Sequence, residues 1–131
     1  MSVIPEMPSP FNEIVIENQS GTYKDFQLKP DDTYPLAGVT YPTDYGYIPG
    51  YIGEDGYDLD VFVGTDLPGK MGYFTVWRGD VPEEHKYYLA MKDEELSEIL
   101  KTFAQVLLKN VAISSLSELV DDMKKFKVQN K

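Results

Sequence analysis

An α+β domain is what this sequence predicts, with a small antiparallel barrel or strongly bent sheet first and helices last. Two observations carry that expectation. Alternating segments rich in β-branched and aromatic residues fill the chain as far as Met91. From Asp93 onward, leucine, isoleucine and phenylalanine recur at helical spacing instead. Strands followed by helices is the α+β order, and a strand region of roughly 80 residues suits a small barrel. No repeat or low-complexity linker divides the 131 residues, so one domain is expected over 1–131.

The elements follow in order. Residues 1–10 hold Pro5, Pro8 and Pro10 and read as an irregular arm. Residues 11–17 read as a strand with Ile14 and Ile16 on one face. After an Asn-Gln-Ser-Gly turn, 22–28 reads as its hairpin partner. Residues 33–41 are short and broken by Pro35 and Gly38. Alternation over 57–63 predicts a strand with Asp58 and Asp60 on the same face. Further strands are expected at 72–78 and, as the last one, 85–91, with an acidic loop at 79–84 between them. The barrel would thus span 11–91 and the helices 92–131. An amphipathic helix over about 93–109 carries Asp93, Glu94 and Glu95 in its first turn, where the helix dipole favours acids. Ser115 and Glu118 form a capping box ahead of Leu116, Leu119, Val120, Met123 and Phe126.

Charge and composition narrow the chemistry. A formal net charge of −10 disfavours nucleic acid and anionic membranes as partners. It also opposes capture of an anionic substrate unless metal ions reverse the local sign. The absence of cysteine removes disulfides, thiolate metal sites and a thiol nucleophile, and the single His85 removes a histidine metal cluster. No apolar run has membrane-spanning length, and the start of the chain lacks the pattern of a signal peptide. A cytoplasmic protein is the default expectation.

Residues 39–64 are the most informative stretch. Tyr41, Tyr45, Tyr47, Tyr51 and Tyr57 fall there, together with Glu54, Asp55, Asp58 and Asp60. Two carboxylates about 5 Å apart repel by roughly 3 kcal/mol at an effective dielectric near 20. Such a cluster is tolerable in water, as a solvated acidic turn, or around a hard cation such as Mg²⁺, which takes oxygen ligands. An EF-hand loop is a poor alternative, because counting from Asp55 its required glycine falls on Asp60.

Tyr41-Pro42-x-x-Tyr45-Gly46-Tyr47-Ile48, followed by Asp55-Gly56-x-x-x-Asp60-Val61, resembles the signature of the soluble family I inorganic pyrophosphatases. The resemblance covers roughly 13–91. It implies a five-stranded, OB-like barrel with helices outside it. It also implies Mg²⁺-dependent hydrolysis of pyrophosphate, with Mn²⁺ as a substitute ion and a homo-oligomer as the common assembly. On that resemblance Asp55, Asp60, Asp80, Glu84 and Glu17 would be metal ligands. Lys24 and Lys86 would contact phosphate, and Tyr45 would hold a phosphate oxygen or the attacking water.

The chain departs from the family pattern at identifiable places. Tyr57 replaces the middle aspartate of the signature, which puts Asp58 forward as its substitute. Phe26 and Thr33 stand where an acid and an arginine are expected, which makes Arg78 the nearest spare cation. A degenerate relative that binds metal or phosphate without turnover, or one acting on another small phosphate compound, is therefore the alternative. A structural interaction protein using its tyrosine-rich surface is the third reading. His85 reads as a solvent-facing strand residue, Glu54 as turn charge, and Tyr47 and Tyr51 as packing residues.

Overall fold

The alternation over 57–63 does produce a strand, and its two faces organise the molecule. In the computed structural model, which describes residues 7, 9–67, 69–79 and 81–128, the strands are β1 (Val15–Asn18), β2 (Tyr23–Asp25), β3 (Gly38–Thr40), β4 (Asp44–Ile52), β5 (Asp58–Val63), β6 (Lys70–Val76), β7 (Glu84–Met91) and β8 (Leu107–Ile113). The helix α1 (Asp93–Thr102) lies between β7 and β8, and α2 (Leu116–Met123) follows β8. Most of the arm expected over 1–10 lies outside the described residues.

Six strands form one sheet in the order β1-β4-β5-β7-β6-β8, and β2 pairs with β3 in a separate ribbon. The expected five-stranded OB-like barrel is corrected in three respects. The sheet is not closed, it has six strands, and β5 and β7 run parallel within it. The expected hairpin of the first two strands is also absent. Instead β1 pairs with β4, and β2 pairs with β3. The signature glycine explains the first pairing. A Cβ on Gly46 would lie 1.8 Å from the Val15 carbonyl oxygen, so only glycine lets β1 approach β4 this closely.

Leu59, Val61 and Val63 of β5 face a core shared with Ile48, Tyr87 and Leu89 of the sheet and with Phe11, Ile14, Leu119 and Met123 outside it. Phe62 faces the opposite core, with Tyr45, Phe74 and Tyr88 of the sheet and Ile99, Phe103, Tyr41 and Val39 above it. Thus α2 covers one face, while α1 and the β2–β3 ribbon cover the other. Near its end β7 carries a bulge: Leu89 and Ala90 together face one residue of β6, with Ala90 at φ 57.

The long helix expected over 93–109 is shorter, ending at Thr102, and β8 is a strand that the expectation of helices alone over 92–131 missed. Strand 85–91 is therefore not the last. The spacing of Leu100, Phe103 and Leu107 fits a helix. Yet the free edge of β6 offers a ladder from Leu107 to Ile113, and that pairing prevails. The second helix follows its capping box: Ser115 Oγ accepts the Glu118 N–H at 3.2 Å. No helix among the described residues is long and apolar enough to cross a membrane.

Candidate active site

Strand period places Tyr45 on β4, Asp60 on β5, and Glu84 and Lys86 on β7 beneath the ribbon side of the sheet. Lys86 is their common centre. Its Nζ donates to Asp60 Oδ2 at 2.8 Å and to the Tyr45 hydroxyl at 3.1 Å, and lies 3.1 Å from Glu84 Oε1. Arg78, just beyond β6, reaches the same carboxylate, with Nη1 at 3.3 Å from both Glu84 oxygens. Two cations thus meet two carboxylates: Lys86 and Glu84 are almost sealed from water, at 3% and 2% exposed, while Asp60 and Arg78 reach outward from them. Burial of this kind is tolerated only when each charge is paired.

Aromatic rings close the cluster. Tyr41 stacks on Tyr45 with centroids 4.4 Å apart, and the Lys86 ammonium lies 5.3 Å from the Tyr45 ring and 5.9 Å from the Phe103 ring. Burial pulls the Lys86 pKa down, but Asp60, Tyr45 and Glu84 outweigh it and hold the ammonium well above its ordinary value. Burial raises Glu84 above the usual carboxylate range despite Lys86 and Arg78. Burial likewise pushes the Tyr45 phenol well up, and Tyr41 to about 12. These phenols remain protonated near neutrality and can donate hydrogen bonds.

The site residues expected from sequence are distributed unevenly. Asp60, Glu84, Lys86, Tyr45 and Arg78 converge, and Lys24 lines the same recess as Tyr45, Arg78 and Lys86. Asp55 lies close enough to Glu84 to help raise its pKa. Its Oδ1 accepts the Tyr57 N–H at 2.9 Å, which pins the turn through Gly56, a residue at φ 83. Glu17 is exposed on the edge strand, near enough to Tyr41 to affect it. Asp58 is exposed and makes none of the contacts that hold the cluster together. Asp80 lies outside the described residues. Tyr57 is 76% exposed, and Thr33 is exposed as well.

Other side chains differ from the sequence reading. His85 does not face solvent. It sits on the α2 face, its ring 4.7 Å from Tyr73, with Nδ1 2.5 Å from Glu54 Oε2. Glu54 is therefore more than turn charge. Tyr51 is buried in the α2-side core, a packing residue as expected. Tyr41, Tyr34 and Phe103 belong to the recess but were not among the candidates, although Tyr41 opens the quoted signature.

Among the described residues, no three acidic or histidine side chains gather in ligand geometry. The donor set still suits a hard cation. Asp60, held by Lys86 at 2.8 Å, and Asp55, held by the Tyr57 N–H at 2.9 Å, are carboxylates that could supply oxygen ligands, and Mg²⁺ commonly binds through one or two carboxylates plus water and phosphate.

The inorganic pyrophosphatase family model matches residues 11–115. This chain belongs to that family. Searches of curated proteins and of solved structures returned no match. The match runs beyond the signature strands and takes in α1 and β8, so the family pattern includes the helix that brings Phe103 over Lys86.

Proposed function

We propose that the chain hydrolyses a phosphoric anhydride, with inorganic pyrophosphate as substrate and Mg²⁺ as the metal. The observation that supports it most is Lys86, a buried ammonium reaching Asp60, Glu84 and Tyr45 at the wall of a recess that Lys24 and Arg78 also line. A buried, hydrogen-bonded charge cluster beside a cleft is a frequent mark of a functional site. Asp55 and Asp60 would hold the cation, which would neutralise phosphate charge and make bound water more acidic.

The chain's own residues have separable tasks. Lys24 and Arg78 bind phosphate oxygens, Arg78 in the role of the arginine missing at Thr33. Tyr45 donates its hydroxyl proton to a phosphate oxygen, the phenol being held neutral by burial. Lys86 positions Asp60 and Tyr45 by holding both. Phosphate release from pyrophosphate with Mg²⁺ or Mn²⁺ at pH 7–9 tests this. Wild type is expected to turn over, and Asp60→Asn to lose on the order of a hundredfold in kcat/KM. Equal inertness of both proteins would sink the reading.

A second reading is a binder of metal and phosphate without turnover. The exposed position of Tyr57, where the family has the acid paired with the attacking water, favours it. Calorimetry showing tight Mg²⁺ and phosphate binding with no hydrolysis would support that alternative.

A further inference from the structure

The inner recess is small, ≈ 80 Å³, and adjoins a much larger cleft of ≈ 740 Å³. Lys24, Phe26, Tyr34 and Arg78 line both. The outer volume falls within the range of about 300–1,000 Å³ common for small-molecule sites. Inorganic pyrophosphate presents only oxygens and has no use for an apolar wall. Yet Phe26, Leu28 and Tyr34 form one. The Phe26 and Tyr34 rings stand 6.3 Å apart at 53°, and the Tyr34 hydroxyl is held by the Trp77 carbonyl at 2.9 Å, so that ring is fixed in place.

The charges in the cleft have a matching arrangement. Lys24, Lys29 and Arg78 line it against Asp25 and Asp32. Each of those acids has an oxygen tied to a nearby backbone N–H, of Gln27 at 2.8 Å and of Lys29 at 2.6 Å. Among the described residues the lining holds more cations than acids, a local reversal suited to an anion on a chain of net charge −10. Lys24 and Arg78 line both the cleft and the recess alongside Phe26 and Tyr34, so cations and rings stand together and fit an anion carrying a planar apolar group.

We propose that the cleft also takes a nucleoside diphosphate, its base against Phe26 and Tyr34 and its phosphates toward Lys24 and Arg78. This rests on the hydrolase reading above for the phosphate end. In the reaction, water oxygen bonds the terminal phosphorus and the bridging P–O bond breaks. Its electron pair stays on the departing nucleoside monophosphate, and one water proton passes to solvent. Phe26, which stands where the family pattern has an acid, thereby becomes a specificity residue.

The test is calorimetry of the whole chain with adenosine diphosphate and with pyrophosphate, Mg²⁺ present, alongside phosphate release from each. Adenosine diphosphate is expected to bind at least roughly tenfold tighter, because stacking on an aromatic ring contributes on that scale. Phe26→Ala should remove about tenfold of its affinity and change pyrophosphate affinity much less. Equal affinities, or an equal loss for both ligands in Phe26→Ala, overturn the proposal. If neither is hydrolysed but adenosine diphosphate still binds through Phe26, the nucleotide inference stands and the hydrolase reading falls. If pyrophosphate is turned over and adenosine diphosphate is not bound, the reverse holds.

Discussion

On the α2 side of the sheet, Leu59, Val61 and Leu89 pack against Phe11, Leu119 and Met123. On the α1 side, one residue along the same strands, Asp60 and Lys86 are held instead, with Glu84 beside them. Both faces exclude water, but by different means. The first gains chiefly from apolar area, about 25 cal/mol per Å² buried. The second places charges where desolvation costs several kcal/mol per ion, and recovers that only through pairing. A face that served only stability would be better filled with leucine. The contrast supports the α1 side as the place of the proposed chemistry, and it can be broken by mutation.

The largest expected effect comes from removing the hub. Lys86→Met leaves Glu84 with Arg78 alone and Asp60 without its ammonium, and should cost about 3–5 kcal/mol. Leu59→Ala, on the other face, should cost a similar amount, about 2–5 kcal/mol, by leaving a cavity. Acidity separates them. Burial already raises Glu84, and loss of a cation raises it further. In Lys86→Met the folded state then binds more protons than the unfolded one just above the ordinary carboxylate pKa, so part of its lost stability returns as pH falls from 7 to 5. The Leu59→Ala loss should not change over that range. Urea midpoints at the two pH values check both, and parallel behaviour of the two variants would remove the contrast.

Alkali gives the next effect. Lys86 is held well above its ordinary pKa by Asp60, Tyr45 and Glu84 against burial, and burial raises Tyr45 and Tyr41, the latter to about 12. These groups stay protonated in the folded chain while the unfolded chain loses protons from about pH 10. Their contribution is thus complete below pH 10 and is lost as pH rises toward 12 and beyond. Thermal midpoints should fall over that window. Tyr41→Phe should show a shallower fall, since phenylalanine keeps the ring stack without the titration. Tyr87, on the α2 face, is also raised, by burial and its bond to Asp122, so Tyr87→Phe should likewise make the fall shallower.

Much of this arrangement was legible in the chain. Strict alternation gave the face of Asp60 and its neighbours, since a strand has only two faces to offer. Ser115 and Glu118 marked the start of α2 because capping is a local interaction. The family pattern singled out Tyr45, Asp60, Glu84 and Lys86, which do meet. What alternation cannot give is strand order. That β7 enters between β5 and β6, or that β8 extends the sheet rather than α1, depends on edges hundreds of possible pairings compete for. The state of the acids was equally hidden. Residue types that suit a cation do not say whether a lysine side chain will reach them, as Lys86 reaches Asp60 and Glu84.

The smallest effect is also a control on the whole contrast. Ser115→Ala removes the acceptor for the Glu118 N–H and loosens the first turn of α2, at a cost of about 1 kcal/mol. Leu119 and Met123 of that helix pack only on the apolar face. Turnover of the phosphate substrate should therefore stay at the wild-type value while the urea midpoint drops. A fall in kcat/KM alongside it would mean that packing under α2 reaches through the sheet to Lys86. The two faces would then be one cooperative unit, and charge burial on the α1 side could no longer be assigned to catalysis separately from stability.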